Sequence, residues 1–129
     1  MIVQLLADRI LKAHREKKKF KVIIMLPLLP GFEGEVDDPN AAVMRVQLNW
    51  EYMTIARSKE SLYARLSSIP DPSNYLQILS LRTHEFLDNI TPVTEIVYIH
   101  SKLMIVDDQR VLLGSANIND RSLLGNRDS

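Results

Sequence analysis

Between Thr94 and Asn117 apolar and polar residues alternate in short runs, and this stretch limits the fold more than any other. Thr94 to Ile99 and Leu103 to Val106 read as strand, Asp107-Asp108-Gln109-Arg110 as a turn, and Val111-Leu112-Leu113 as the return strand. Along it runs the pattern H-x-K-x4-D-x6-G-S-x-N, formed by His100, Lys102, Asp107, Gly114, Ser115 and Asn117 and present once. Residues two apart on a strand share a face. His100 and Lys102 are therefore expected on one face, with Ile99, Leu103 and Ile105 on the other, turned into the core. Gly114 is expected to permit an unusual backbone or a close approach. Asn117 would follow on a turn beside the same face. Asp107 sits at the strand end, a place better suited to bracing a neighbouring turn than to touching a substrate.

The rest of the chain supplies helices to cover such a sheet. Ile2, Leu5, Leu6, Ile10, Leu11 and Ala13 recur at helical spacing, and the basic end Arg15 to Lys19 suits a helix C-terminus. Phe20 to Leu28 is an apolar run closed by Pro30-Gly31, the mark of a buried strand. A loop with acidic residues, Leu29 to Asn40, leads to a helix expected from Ala41 to about Arg57, with Asn40 as its N-cap. Its apolar stripe would use Val43, Met44, Val46, Leu48, Trp50, Met53 and Ile55. A shorter helix, Glu60 to Ser67 with Ser58 as cap, a Pro70 to Ser73 turn and a strand from Tyr75 to Leu81 follow. Helices alternate with strands early and strands cluster late, which predicts an α/β sandwich on a mixed sheet. At 129 residues, 46% of them hydrophobic, the chain is one domain at most.

Composition narrows the function. Sixteen basic and sixteen acidic residues cancel, so a nucleic-acid-coating protein is disfavoured. The absence of cysteine and the presence of only three histidines exclude thiolate metal sites and make a zinc site improbable. Glu33, Glu35, Asp37 and Asp38 fit no EF-hand spacing. No apolar run is long enough for a membrane span, so a cytoplasmic chain with peripheral membrane contact is expected. The basic run Lys17-Lys18-Lys19, with Lys12, Arg15 and Lys21, could meet anionic lipid headgroups, but such a run is more often a solvated helix end.

The motif carries the chemistry. An imidazole can attack phosphorus or move a proton, and a fixed ammonium and amide can stabilise equatorial oxygens. Alone, a strand histidine is usually the satisfied partner of a carbonyl, and a lone lysine a solvated cation. The set at fixed spacing reverses that reading here. His14 and His84 stand alone and read as structural.

At these residues the chain resembles the phospholipase D superfamily, whose hallmark is H-x-K-x4-D followed by G-S-x-N. Tyr98 to Asp108 and Gly114 to Ser122 are similar to the second, C-terminal motif of the eukaryotic phosphatidylcholine-hydrolysing enzymes. Pro27 to Gly34 and Leu81 to His84 are similar to segments that precede it, with a lean toward the animal and fungal branch. The resemblance covers essentially all of residues 1–129. It implies one α-β-α lobe of a two-lobe phosphodiesterase, with His100, Lys102 and Asp107 as the catalytic motif. Lys102, Ser115 and Asn117 would hold the phosphate beside His100. It implies no metal and no required cofactor, with phosphoinositide stimulation and small-GTPase regulation as family features. The expected partners are a phospholipid surface and an N-terminal lobe bearing the first motif.

Two departures stand out. There is one motif where the family has two, and Arg127-Asp128-Ser129 stops one residue short of the family glutamate that orients the motif histidine. These lead to the expectation of an internal fragment, inactive by itself. Two alternatives are a single-motif homodimer cleaving nucleic acid or cardiolipin, and a non-catalytic lipid-binding lobe.

Overall fold

The computed structural model describes residues 2–31 and 36–118. Helix α1 spans Ile2–Arg15, strand β1 Val22–Met25 and helix α2 Ala42–Tyr52, which runs on into a π-helical turn, Met53–Arg57. A short helix α3, Leu62–Arg65, and a 3₁₀ turn, Pro72–Asn74, lead to β2, Leu76–Leu79. Strands β3 (Arg82–Leu87), β4 (Thr91–Ile96), β5 (Lys102–Val106) and β6 (Arg110–Gly114) follow.

Four strands form a mixed sheet in the order β2-β1-β5-β6, parallel between β1 and β2 and antiparallel elsewhere. This is the α/β architecture with a mixed sheet that the alternation predicts. Val22 pairs with Leu76 on one side and Val106 on the other, and Ile24 pairs with Ile78 and Met104. All six belong to the core cluster or pack against it, together with Val3, Ala7, Ile10 and Ala13 of α1 and Leu62 and Leu66. One face of the sheet therefore meets α1 and α3, and burial of these side chains drives the assembly.

Several sequence expectations are corrected. The buried stripe of α1 is Val3, Ala7, Ile10 and Ala13, while Ile2 and Leu5 are exposed. A 4-3-3 spacing fits one narrow face of the helix better than the wider set. Helix α2 begins one residue after Ala41, which makes no side-chain cap. Asn40 instead donates its backbone N–H to Asp38 Oδ1 (2.8 Å), a local turn that competes with capping. Of the α2 stripe only Met44 is buried; Val43, Val46, Trp50 and Met53 are exposed. Helix α3 is shorter than expected and is capped by Ser61, whose Oγ accepts from Ala64 N (3.2 Å), not by Ser58.

The strands also shift. Thr91–Ile96 pairs with β3 in a separate two-stranded hairpin, so residues 97–100 are not strand and β3 is an element without a sequence expectation. Both hairpin turns use the same device: Asp88-Asn89 and Asp107-Asp108 all have φ between 52 and 57°. Asp and Asn tolerate that left-handed region better than most residues. Gly114 needs no special conformation, since a Cβ there meets nothing within 4 Å. Gly31 does need its missing side chain, because a Cβ would fall inside the Tyr98 hydroxyl and ring.

The other singled-out groups are structural. His14 Nδ1 lies 3.3 Å from the Tyr75 hydroxyl, in an edge-on ring contact. In the basic run, Lys18 pairs with Glu16 (2.8 Å) and Lys21 Nζ donates to Ser73 O (2.7 Å). His84 lies on exposed β3 opposite Thr94. Glu33 and Glu35 of the acidic loop lie outside the described residues, as do Asn119 to Ser122 and Arg127-Asp128-Ser129.

Candidate functional site

The site lies at the end of the sheet where β1 finishes and β5 starts. Lys102 opens β5 and pairs with Gly114, the last residue of β6. That pairing brings Ser115 and Asn117, just beyond β6, to the same end as His100, just before β5. The strand pair thus brings His100, Lys102, Ser115 and Asn117 to one end of the sheet.

The orientation of Lys102 departs from the sequence reading. Met104 and Val106 pack against the helix-side core, and Lys102 shares their parity. Leu103 and Ile105 belong to the opposite face. Lys102 is accordingly only 7% exposed. His100, outside any strand, is exposed and need not follow that alternation. Its Nδ1 is 3.0 Å from the Tyr98 hydroxyl, and Tyr98 rests on Gly31. When that hydroxyl donates to Nδ1, the proton of the neutral imidazole sits on Nε2, the nitrogen with no partner among the described residues. Tyr98 is thus a positioning group that spacing alone does not reveal, although it shares the alternation of His100.

Burial pushes the Lys102 ammonium below the usual lysine range, and the Glu51 carboxylate pulls it back up. The same effects act on Glu51 in reverse. Burial pushes its carboxyl up to about 6, against the pull of Lys102. Glu51 is a second residue that sequence reasoning missed. Its only signal is a lone charge between Trp50 and Tyr52 in a helix otherwise read as an apolar stripe.

Asn117 is half-buried, and its Oδ1 is a buried oxygen without a hydrogen-bond partner among the described residues. Leaving such a group unpaired costs roughly 1–3 kcal/mol, so it marks a place where fold stability yields to another requirement. The amide offers one acceptor and two donors. Ser115 is exposed beside it.

Asp107 is placed at the far end of β5, about 16 Å away at strand rise. Its Oδ1 accepts from Lys21 N (2.7 Å), and its own N–H donates to Lys21 O (2.8 Å). This clamp fixes the start of β1 against the end of β5. Among the described residues no three His, Cys, Asp or Glu side chains cluster as a metal site. No helix there is long and apolar enough to cross a membrane.

An imidazole, an ammonium, an amide and a hydroxyl carried at one end of a sheet are groups that suit an anionic phosphoryl group. The family profile described as Phospholipase D matches residues 1–129. Phospholipase D zeta 2 of Arabidopsis thaliana is 47% identical over 131 residues, covering 99% of this chain and 12% of the relative. Phospholipase D1 of Saccharomyces cerevisiae is 45% identical over 126 residues, covering 96% of this chain and 8% of the relative. Phospholipase D1 of Homo sapiens is 45% identical over 126 residues, covering 96% and 12%. These identities do not separate the plant relative from the fungal and animal ones. The chain spans about an eighth or less of the length of these relatives.

Proposed function

The chain belongs to the phospholipase D family, and we propose that it forms part of the C-terminal catalytic lobe of a larger enzyme that hydrolyses phosphatidylcholine to phosphatidic acid and choline. The supporting observation is the β5–β6 pairing, which sets Lys102 opposite Gly114 and so brings His100, Ser115 and Asn117 to the same end of the sheet. In this reading a histidine from a second motif, on a partner lobe, attacks phosphorus. The P–O bond to choline breaks as the new P–N bond forms, giving a phosphohistidine. His100, protonated on both nitrogens at this step, gives its Nε2 proton to the departing choline oxygen and keeps its Nδ1 proton, which the Tyr98 oxygen accepts. It then takes a proton from water, whose oxygen attacks phosphorus and releases phosphatidic acid and the free histidine. A primary alcohol in place of water gives the transphosphatidylation product. General acid-base assistance of this kind contributes roughly 10²–10⁴-fold.

Lys102, Asn117 and Ser115 hold the phosphoryl oxygens as preorganised donors, and this chemistry requires no metal. The substrate places the enzyme at a phospholipid surface, as a peripheral cytoplasmic protein. Phosphoinositide stimulation and small-GTPase control belong to this reading as properties of the whole enzyme. The test is choline release from phosphatidylcholine vesicles by this chain together with a lobe bearing the first motif. Release that vanishes in His100→Ala supports the reading. Release that persists unchanged overturns it.

A further inference from the structure

Burying an ammonium is costly unless a counter-charge accompanies it. Lys102 is the one charged residue among the described residues that is classed as buried, and no contact ion pair or side-chain hydrogen bond reaches it there. The charges on the elements around it narrow the source of compensation. Strand β1 carries none, and Lys21 flanks its far end. On β6 the only charge is Arg110, which pairs with Val106 at the opposite end of β5. His100 precedes Lys102 on the same segment and turns to Tyr98. Helix α2 carries Arg45 and Glu51. The Arg45 guanidinium donates to the carbonyls of Val36 and Asp38, away from the sheet. That leaves Glu51.

Sheet geometry puts Glu51 and Lys102 on the same side. β1 and β5 pair as far as Met25 with Leu103, and continuing that register sets Leu26 opposite Lys102. Leu26 is buried on the helix side, and it lines with Glu51 a mainly apolar cavity of about 210 Å³. Leu48, Tyr52, Ile55 and Ile78 complete its wall. Glu51 sits two residues before the π-helical segment, where Ser58 N–H reaches back to Met53 O (3.2 Å). Such π turns occur often at functional sites.

We propose that Glu51 is a positioning residue for Lys102: from α2 its carboxylate serves as the counter-charge of the buried ammonium and keeps the lysine protonated and aimed at the sheet end where His100 and Asn117 meet. The use of that lysine in phosphoryl binding rests on the function proposed above, but the pairing itself does not. Glu51 touches no reacting atom.

The test is an NMR titration of the full chain with lysine labelled at Cε and glutamate at Cδ. In the unaltered protein Lys102 titrates below the other lysines, and Glu51 near 6. In Glu51→Gln the Lys102 midpoint falls further, by about half a pH unit or more, as expected for loss of an opposite charge nearby. In Lys102→Met the Glu51 midpoint rises in return, so the pair is read even if one variant folds poorly. Reciprocal shifts support the proposal. A Lys102 midpoint unchanged in Glu51→Gln, or a Glu51 midpoint unchanged in Lys102→Met, overturns it. Neither readout uses choline release, so failure of the pairing and failure of the phosphodiesterase reading are told apart.

Discussion

The two ends of β5 are five residues apart and obey opposite rules. At the Asp107 end polar groups close on one another: the carboxylate and N–H of Asp107 meet the N–H and C=O of Lys21, and Lys21 Nζ reaches Ser73. At the Lys102 end, among the described residues, a lysine is buried without an ion-pair or hydrogen-bond partner, Asn117 Oδ1 is unpaired, and a carboxyl is held up near 6. The same motif therefore supplies a clamp at one end and an unsatisfied set of donors and acceptors at the other. Strain of this kind belongs where a ligand completes it.

The largest expected contrast comes from exchanging the losses. His100→Ala in the assembled enzyme should lower choline release by roughly 10²–10⁴-fold while leaving the thermal midpoint of the lobe unchanged. Asp107→Ala should do the reverse. Removing a charged acceptor from a partly buried N–H costs about 1.5–3 kcal/mol, read as a lower midpoint in urea. Asp107→Asn, which keeps both the acceptor and the tolerance for positive φ, should lose less.

A middle-sized effect separates burial from catalysis at Lys102. Its folded-state affinity for a proton is depressed from 10.5, so its contribution to stability is present above that pH and is lost as pH falls. At neutral pH the charge is a net cost. Lys102→Met should thus hold or raise the midpoint in urea while abolishing turnover, a split that a merely structural lysine would not show.

Smaller effects sharpen the comparison. Tyr98→Phe removes the hydroxyl beside His100 Nδ1 and should lower turnover by about tenfold or less, with the fold intact. For Glu51 the folded carboxyl binds its proton more tightly than the reference value of 4.5. It therefore favours the fold below that value, and the benefit is lost as pH rises through about 6. Glu51→Gln should flatten this part of the stability profile in a urea series from pH 4 to 7.

Much of this was legible in the sequence. The β5–β6 hairpin follows from two apolar runs around Asp107-Asp108, and α1 and β1 follow from periodicity and from an apolar run closed by Pro30-Gly31. The motif named the site because its spacing carries the strand pairing with it. What escaped has physical reasons. Strand alternation was extended back through His100, but Thr91–Ile96 pairs with β3 instead, and the chain leaves the sheet before the motif begins. The parity of Lys102 was inverted because Leu103 to Val106 is apolar on both faces, and only the pairing with Val22 and Ile24 reveals which side the helices cover. Asn40 lost the cap to a turn made by Asp38 two residues earlier. Glu51 was invisible because its relation to Lys102 spans half the chain.

The central claim is that the sheet end around His100 and Lys102 is half of a phosphodiester site. The most direct measurement is choline release from phosphatidylcholine vesicles by this chain alone, by this chain with a lobe bearing the first motif, and by the pair carrying His100→Ala. The account predicts none from the chain alone, turnover from the pair, and loss in the variant. Turnover by the chain alone, or by the pair regardless of His100, would contradict it.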